Sequence, residues 1–204
     1  MLKNSKLYLV LDTEVGDYDR LLFAAREAFK NGIDIIQLRD KTGLAKDILT
    51  FTKRLQSVIQ GKIPFIINDR VDVAIAAEAD GVHVGQDDLP VKVARRMMGR
   101  RAIIGASCQT LTQARLAERE GANYIGFGSV FKTLTKPERQ PMDLKLLAHV
   151  VSSIKIPVFA IGGIHAGNVH LLKGMGVKRV AVCRAICDAA DAGTSTFLLK
   201  KALF

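Results

Sequence analysis

The sequence predicts an α/β fold, a single closed (β/α)8 barrel over residues 1–204. Three observations carry that prediction. Eight short, β-branched apolar runs recur along the chain, each followed by a polar or glycine-containing turn. Segments with helical periodicity lie between them. Gly32, Gly81, Gly121 and Gly176 sit at or just before a run, where a helix would turn into the next strand. The runs lack strict alternation, which suits parallel strands buried on both faces.

The first run is Leu7–Leu11 (LYLVL). Its basic lead-in, acidic continuation and lack of a small-residue cleavage site mark a first strand and not a signal peptide. Tyr18–Asn31 then places Leu21, Leu22, Ala25, Ala28 and Phe29 on one helical face and stops at Asn31-Gly32. Ile33–Leu38 is the second run. Leu44–Gln60 repeats the helical pattern with Ile48, Phe51, Leu55 and Ile59, and ends at Gly61. Pro64–Ile67, Gly81–Val84 and Ala102–Gly105 follow as runs three to five. Thr110–Glu120 starts on a threonine cap and ends at Gly121. Tyr124–Phe127, Pro157–Ile161 and Arg179–Val182 complete the eight, with Ala166–Gly174 and Asp191–Ala202 as the last helical segments. An open doubly wound sheet usually has about five or six strands and two edges to protect, so eight units favour closure into a TIM barrel.

Composition narrows the function classes. With 49% apolar and 25% charged residues the chain reads as a globular protein. No apolar run reaches the roughly 18 residues of a membrane span, so no membrane partner is expected and the cytoplasm is the expected location. The net charge of +10 raises nucleic acid as a partner, but the basic residues are dispersed and the chain has no Trp and three Tyr. Without stacking platforms, a basic surface suits small anionic metabolites better. Cys183-x-x-x-Cys187 resembles half a zinc site, yet no second pair completes it, and Cys108, Cys183 and Cys187 read as reduced thiols. Oligomeric state stays open, a homo-oligomer included.

In such a barrel, catalytic groups collect at the C-terminal ends of the strands. Polar residues concentrate there: Gln37-Leu38-Arg39-Asp40-Lys41, Asn68-Asp69-Arg70, His83 to Asp88, Ser107-Cys108-Gln109, Thr133-Leu134-Thr135-Lys136, Gly162-Gly163 and Cys183-Arg184. Alternate residues on a strand face one side, so Gln37, Arg39 and Lys41 suit a diphosphate in the mouth; the bland alternative is a surface turn salt-bridged by Asp40. Asp69 and Asp88 end neighbouring strands and suit Mg²⁺; singly, Asp69 reads equally well as a helix N-cap and Asp88 as a loop charge. Gly162-Gly163 lets the backbone approach a ligand, with amides of a following helix available to phosphate. Thr133, Leu134, Thr135 and Lys136 lie on a long loop that could fold over substrate. His83 reads as a residue packed in or beside the mouth, neither ligand nor general base.

Taken in order, these motifs resemble the thiamine-phosphate synthase family. The matching stretches are Gln37–Lys41, Ile67-Asn68-Asp69, Gly81 to Pro90, Gly126 to Lys136 and Ile161 to Ile164. The resemblance implies a transferase that joins hydroxymethylpyrimidine diphosphate to a thiazole phosphate and releases pyrophosphate. It implies Gln37, Arg39, Lys41, Asn68, Ser107 and Lys136 on the pyrimidine diphosphate, with Arg39, Lys41, Ser107 and Lys136 catalytic. It further implies Asp69 and Asp88 on Mg²⁺, and Thr133, Leu134, Thr135, Gly163, Cys183 and Arg184 on the thiazole phosphate.

A sister family, the thiazole tautomerases, is similar in fold but lacks the Gly85-Gln86-Asp87-Asp88 motif, and its catalytic histidine would fall at Gln109. A non-catalytic sensor of thiamine precursors is the third reading; a sensor has no need of Arg39, Asp69, Asp88 and Lys136 together. Many synthases carry His at Gln109, Pro at Ser129 and Ser at Arg184. The last departure either strengthens the phosphate contact or changes which thiazole phosphate, carboxylated or not, is accepted.

Overall fold

A computed structural model describes residues 2–135 and 140–203. Eight parallel strands close in the order β1 to β8, and β1 completes the ring by pairing with β8 through Leu7–Val180 and Leu9–Val182. The strands are β1 (Leu7–Asp12), β2 (Ile35–Arg39), β3 (Phe65–Asn68), β4 (Gly81–Val84), β5 (Ile103–Cys108), β6 (Tyr124–Phe127), β7 (Val158–Ile161) and β8 (Val180–Val182). The helices are α1 (Tyr18–Lys30), α2 (Ala45–Ile59), α3 (Val71–Ala76), α4 (Val91–Met98), α5 (Leu111–Arg119), α6 (Leu144–Ser153), α7 (Arg184–Cys187) and α8 (Ala192–Ala202).

The predicted elements are present, with instructive differences. β1, β2, β3 and β5 run past their apolar stretches to Asp12, Arg39, Asn68 and Cys108. These additional residues are mostly polar, so they escape a hydrophobic pattern while still pairing in the sheet. The segment expected as a helix over Ala166–Gly174 is a 3-10 helix, Val169–Met175; Gly174 and Gly176 weaken regular α geometry there. α3, α4 and α7 are too short for a periodicity to show. α6, with the sequence LKLLAHVVSS, is apolar around most of its circumference.

Burial separates two layers. Leu7, Leu9, Leu11 and Ile36 face the helices within a continuous apolar shell. The barrel interior holds a smaller cluster of Tyr8, Ile35, Ile66, Tyr124, Phe159 and Ala181. Tyr8, Tyr124 and Phe159 meet edge to face, with ring centroids 5.4 to 5.7 Å apart. Only a glycine fits beside them on β5, since a Cβ at Gly105 would lie 2.1 Å from Tyr124 Cζ.

At the N-terminal end, the residue leading into each of three even-numbered strands anchors the strand before it. Asp34 accepts from the Lys6 and Leu7 amides at 2.8 and 2.9 Å, and from Lys200 Nζ at 2.5 Å. Asp80 accepts from the Phe65 amide at 2.8 Å, and Asn123 from the Ile104 amide at 2.8 Å. These groups stitch the base of the barrel, far from its mouth. Asp34→Ala, which strands two backbone donors and a lysine, is expected to lower unfolding stability by about 2 kcal/mol in urea denaturation. Ligand affinity at the mouth is expected to stay within two-fold.

Candidate active site at the barrel mouth

The strand ends surround a cavity of about 590 Å³, floored by Tyr8, Tyr124 and Phe159. Gln37, Arg39, Lys41, Asn68, Asp69, Asp88, Ser107, Thr133, Leu134, Thr135, Gly163, Cys183 and Arg184 all line it. Lys136 lies outside the described residues. The sequence reading therefore placed its remaining site residues around one space.

The floor is polar as well as aromatic. Gln37 Nε2 donates to the Tyr8 hydroxyl at 2.7 Å, and the Tyr8 and Tyr124 hydroxyls are 2.7 Å apart. Tyr124 lies 3.0 Å from His83 Nδ1, and His83 Nε2 lies 2.9 Å from Ser107 Oγ. Burial raises both tyrosine hydroxyls well above the usual phenol range, so both stay protonated. His83 is thus a floor residue linked to Ser107. Neither tyrosine drew attention in the sequence. The available signal was a tyrosine inside each of two apolar runs, because a buried hydroxyl needs a partner.

Above the floor, on β2, Arg39 is held by Asp12 at 2.7 Å and by Glu14 at 3.2 Å. Burial depresses the guanidinium, but these two carboxylates outweigh it and hold Arg39 above its ordinary value. Asp12 is fully buried and aims the guanidinium at the cavity. It is a functional position that sequence reasoning missed, because it closes an otherwise apolar strand. Asp40 forms no salt bridge with its neighbours. It accepts from Tyr18 at 2.5 Å and from the Thr42 and Gly43 amides, which shapes the β2–α2 turn and leaves Lys41 to point inward.

Lys41 Nζ contacts Asp69, whose carboxyl is hydrogen-bonded in turn to Asp88. Burial and then the Asp88 hydrogen bond hold Asp69 above the usual carboxylate range, against the pull of Lys41. Burial also pushes Asp88 up, but the hydrogen bond from Asp69, the Gly85 amide at 2.8 Å and the Lys41 charge bring it below that range. Asp69 is not the cap of α3: Arg70 occupies that position without a side-chain cap bond, and Asp69 takes a left-handed backbone with φ of 60°. A short acidic residue adopts this conformation more readily than most.

The far side of the mouth is built differently. Gly162 and Gly163 have φ of 110° and 64°, and a Cβ on Gly163 would lie 2.3 Å from the Lys132 carbonyl. The helix expected directly after them is absent; the 3-10 helix begins only at Val169, because Asn168 ties back to the Gly163 carbonyl at 2.8 Å. Amides of a following helix are therefore not what this turn presents. Cys183 ends β8 and leads into α7, where Arg184 Nη1 reaches Asp188 at 3.0 Å and Arg20 reaches it from α1 at 2.6 Å. Arg184 Nε is buried and has no acceptor among the described residues. Thr133 accepts from the Thr135 amide at 3.3 Å, while Leu134 is 73% exposed at the rim. Cys108, Cys183 and Cys187 are free thiols, and no group of three metal-ligating side chains occurs among the described residues.

A closed (β/α)8 barrel whose mouth opposes a cation-bearing carboxylate pair to a glycine turn with an arginine is a phosphate-handling barrel enzyme. Residues 7–186 match the family model described as thiamine monophosphate synthase. The thiamine-phosphate synthase of Methanobrevibacter smithii is 41% identical over 186 residues, 91% of this chain and 88% of that protein. The thiamine-phosphate synthase of Prochlorococcus marinus is 44% identical over 185 residues, and there the aligned part is 90% of this chain but 52% of the longer relative. Among solved structures, thiamine phosphate pyrophosphorylase from Pyrococcus furiosus superposes with a TM-score of 0.90 at 36% identity, covering 100% of this chain and 98% of that one. A 3-hexulose-6-phosphate synthase at 20% identity and a TM-score of 0.71 shares the fold. The chain belongs to the thiamine monophosphate synthase family.

The glycine turn gives a direct check on the second half of the mouth. Gly163→Ala must place a Cβ against the Lys132 carbonyl in a left-handed conformation, and is expected to cost about 1–3 kcal/mol or to displace the turn. Chemical denaturation measures the first effect, and a crystal structure of the variant shows the second.

Proposed function

We propose that the chain joins hydroxymethylpyrimidine diphosphate to a thiazole phosphate, giving thiamine phosphate and pyrophosphate. The observation that carries this reading is the division of the mouth. Asp69, Asp88, Lys41 and Arg39 crowd the β2–β4 side, while Gly163 and Arg184 stand on the β7–β8 side of the same cavity. Two anionic substrates facing one another need two such halves; an isomerase acting on one phosphate does not.

The reaction breaks the bond between the pyrimidine methylene carbon and a diphosphate oxygen, and that electron pair leaves with pyrophosphate. The pyrimidine amino group stabilises the cationic methylene, and the thiazole nitrogen donates the pair that forms the new carbon–nitrogen bond. The demand on the protein is charge neutralisation and placement. Arg39, oriented by Asp12, and Lys41 bind the departing diphosphate, with Asn68 and Ser107 at its edge and Lys136 from the loop. Asp69 and Asp88 would hold Mg²⁺: two carboxyls close enough to perturb one another, with Lys41 against Asp69, suit a divalent ion completed by phosphate oxygens and water. When bound, the ion neutralises charge developing on pyrophosphate. Thr133 to Thr135, Gly163, Cys183 and Arg184 hold the thiazole phosphate, where the Arg184 Nε–H, without an acceptor among the described residues, offers a donor to an anionic oxygen. Gln109, which lines the cavity, offers no proton-transfer group of the tautomerase kind. The three free thiols suit a reducing cytoplasm.

Purified protein with both phosphorylated precursors and Mg²⁺ is expected to release pyrophosphate and form thiamine phosphate; no product under any metal condition overturns the reading. Asp88→Asn is expected to raise the Mg²⁺ concentration for half-maximal activity by at least about tenfold. Burial and the neighbouring Asp88 raise the pH at which Asp69 loses its proton, so Mg²⁺ competes with that proton at the acid end. Mg²⁺ affinity is therefore expected to rise with pH until Asp69 ionises, with proton release on binding at the acid end, both measurable by calorimetry in two buffers.

A further inference from the structure

Five side chains from five different strands form one hydrogen-bonded series across the floor: Gln37, Tyr8, Tyr124, His83 and Ser107. Three of them, Tyr8, Tyr124 and His83, are buried and carry no role in the reaction described above. The two outer members are the ones expected to touch the pyrimidine diphosphate.

Proton counting constrains such a series. Each tyrosine hydroxyl has one hydrogen to give, and a neutral imidazole has one donor and one acceptor. Gln37 donates to Tyr8 through Nε2. If Tyr8 then gives its hydrogen to Tyr124, Tyr124 gives its own to His83 Nδ1. His83 must then carry its proton on Nε2 and donate to Ser107 Oγ. The far end agrees independently. Phosphate oxygens accept and do not donate, so a serine that serves a diphosphate needs its hydroxyl hydrogen free, which requires His83 Nε2 to be the donor.

We infer that Tyr8, Tyr124 and His83 are positioning residues that fix, as one unit, the direction of hydrogen bonding from Gln37 to Ser107, so that Ser107 always presents its hydrogen to the diphosphate. This deepens the functional reading above and rests on it for the identity of the anion at Ser107. The directed series itself is a property of the free protein.

The test is the protonation of one ring. In ¹⁵N-histidine-labelled protein without ligand at pH 8, His83 is expected to be neutral with its hydrogen on Nε2. His149, His165 and His170 are exposed and can be replaced singly to assign its signal. A hydrogen on Nδ1, or a doubly protonated ring, would overturn the inference whatever the pyrophosphate assay shows. A second arm uses Gln37→Glu, whose carboxylate only accepts. The series is then expected to reverse, moving the His83 hydrogen to Nδ1 at a site that the substitution does not touch. In the same variant KM for the pyrimidine diphosphate should rise at least tenfold, with KM for the thiazole phosphate within two-fold. An unchanged His83 ring in a folded Gln37→Glu protein, followed to pH 9.5, would remove the coupling.

Discussion

The barrel is organised by the need to satisfy polar groups at its centre. Tyr8 and Tyr124 fill the interior with their rings, and each brings a buried hydroxyl to the floor of the mouth. A buried hydroxyl left unbonded costs far more than a satisfied one gains, so each needs a partner from another strand. Gln37 and His83 are those partners, and the strand register must deliver them at the same level. The pairing of Val10 with Gln37 and of Asp12 with Arg39 does so. A slip of one residue between β1 and β2 would carry Gln37 and Arg39 to the helix side together. The polar floor and the Asp12–Arg39 pair thus depend on one register.

That register also explains the vertical arrangement of the mouth. Residues two apart on a strand face the same way, so Arg39 stands above Gln37 and Asp12 above Val10, with Lys41 beyond at the rim. The floor is uncharged, directional and shielded, while the level above it carries charge. A heteroaromatic ring suits the first, a diphosphate the second. The carboxylate pair continues this upper level onto β3 and β4, where the left-handed backbone at Asp69 turns its side chain toward Asp88 and Lys41. Across the ring stand the glycine turn after β7 and the arginine after β8.

Much of this was legible in the sequence, and the rest was hidden for definite reasons. Apolar runs located all eight strands, but four runs stopped short because Asp12, Arg39, Asn68 and Ser107 are polar residues that still pair in the sheet. The same departure from hydrophobicity marked most of them as site residues. Asp12 was missed because one carboxylate at a strand end is indistinguishable from a turn residue until Arg39 is placed beside it. Tyr8 and Tyr124 lie far apart in sequence, and only closure of the barrel brings their hydroxyls together. The Asp69 backbone is another feature no local pattern announces, since the same residue would serve equally well as a helix cap. The 3-10 helix after Gly163 reflects a competition between side-chain and backbone hydrogen bonding at Asn168 that spacing alone does not resolve.

In the proposed reaction one mouth holds two phosphoryl groups on opposite sides, with the carboxylate pair serving only one of them. A crystal structure with thiamine phosphate, pyrophosphate and Mn²⁺ in place of Mg²⁺, located by anomalous scattering, tests it most directly. Pyrophosphate and the metal are expected beside Lys41, Asp69 and Asp88, with the phosphate of thiamine phosphate against Gly163 and Arg184. Metal bound away from Asp69 and Asp88, or both phosphoryl groups on one side of the barrel, would contradict it.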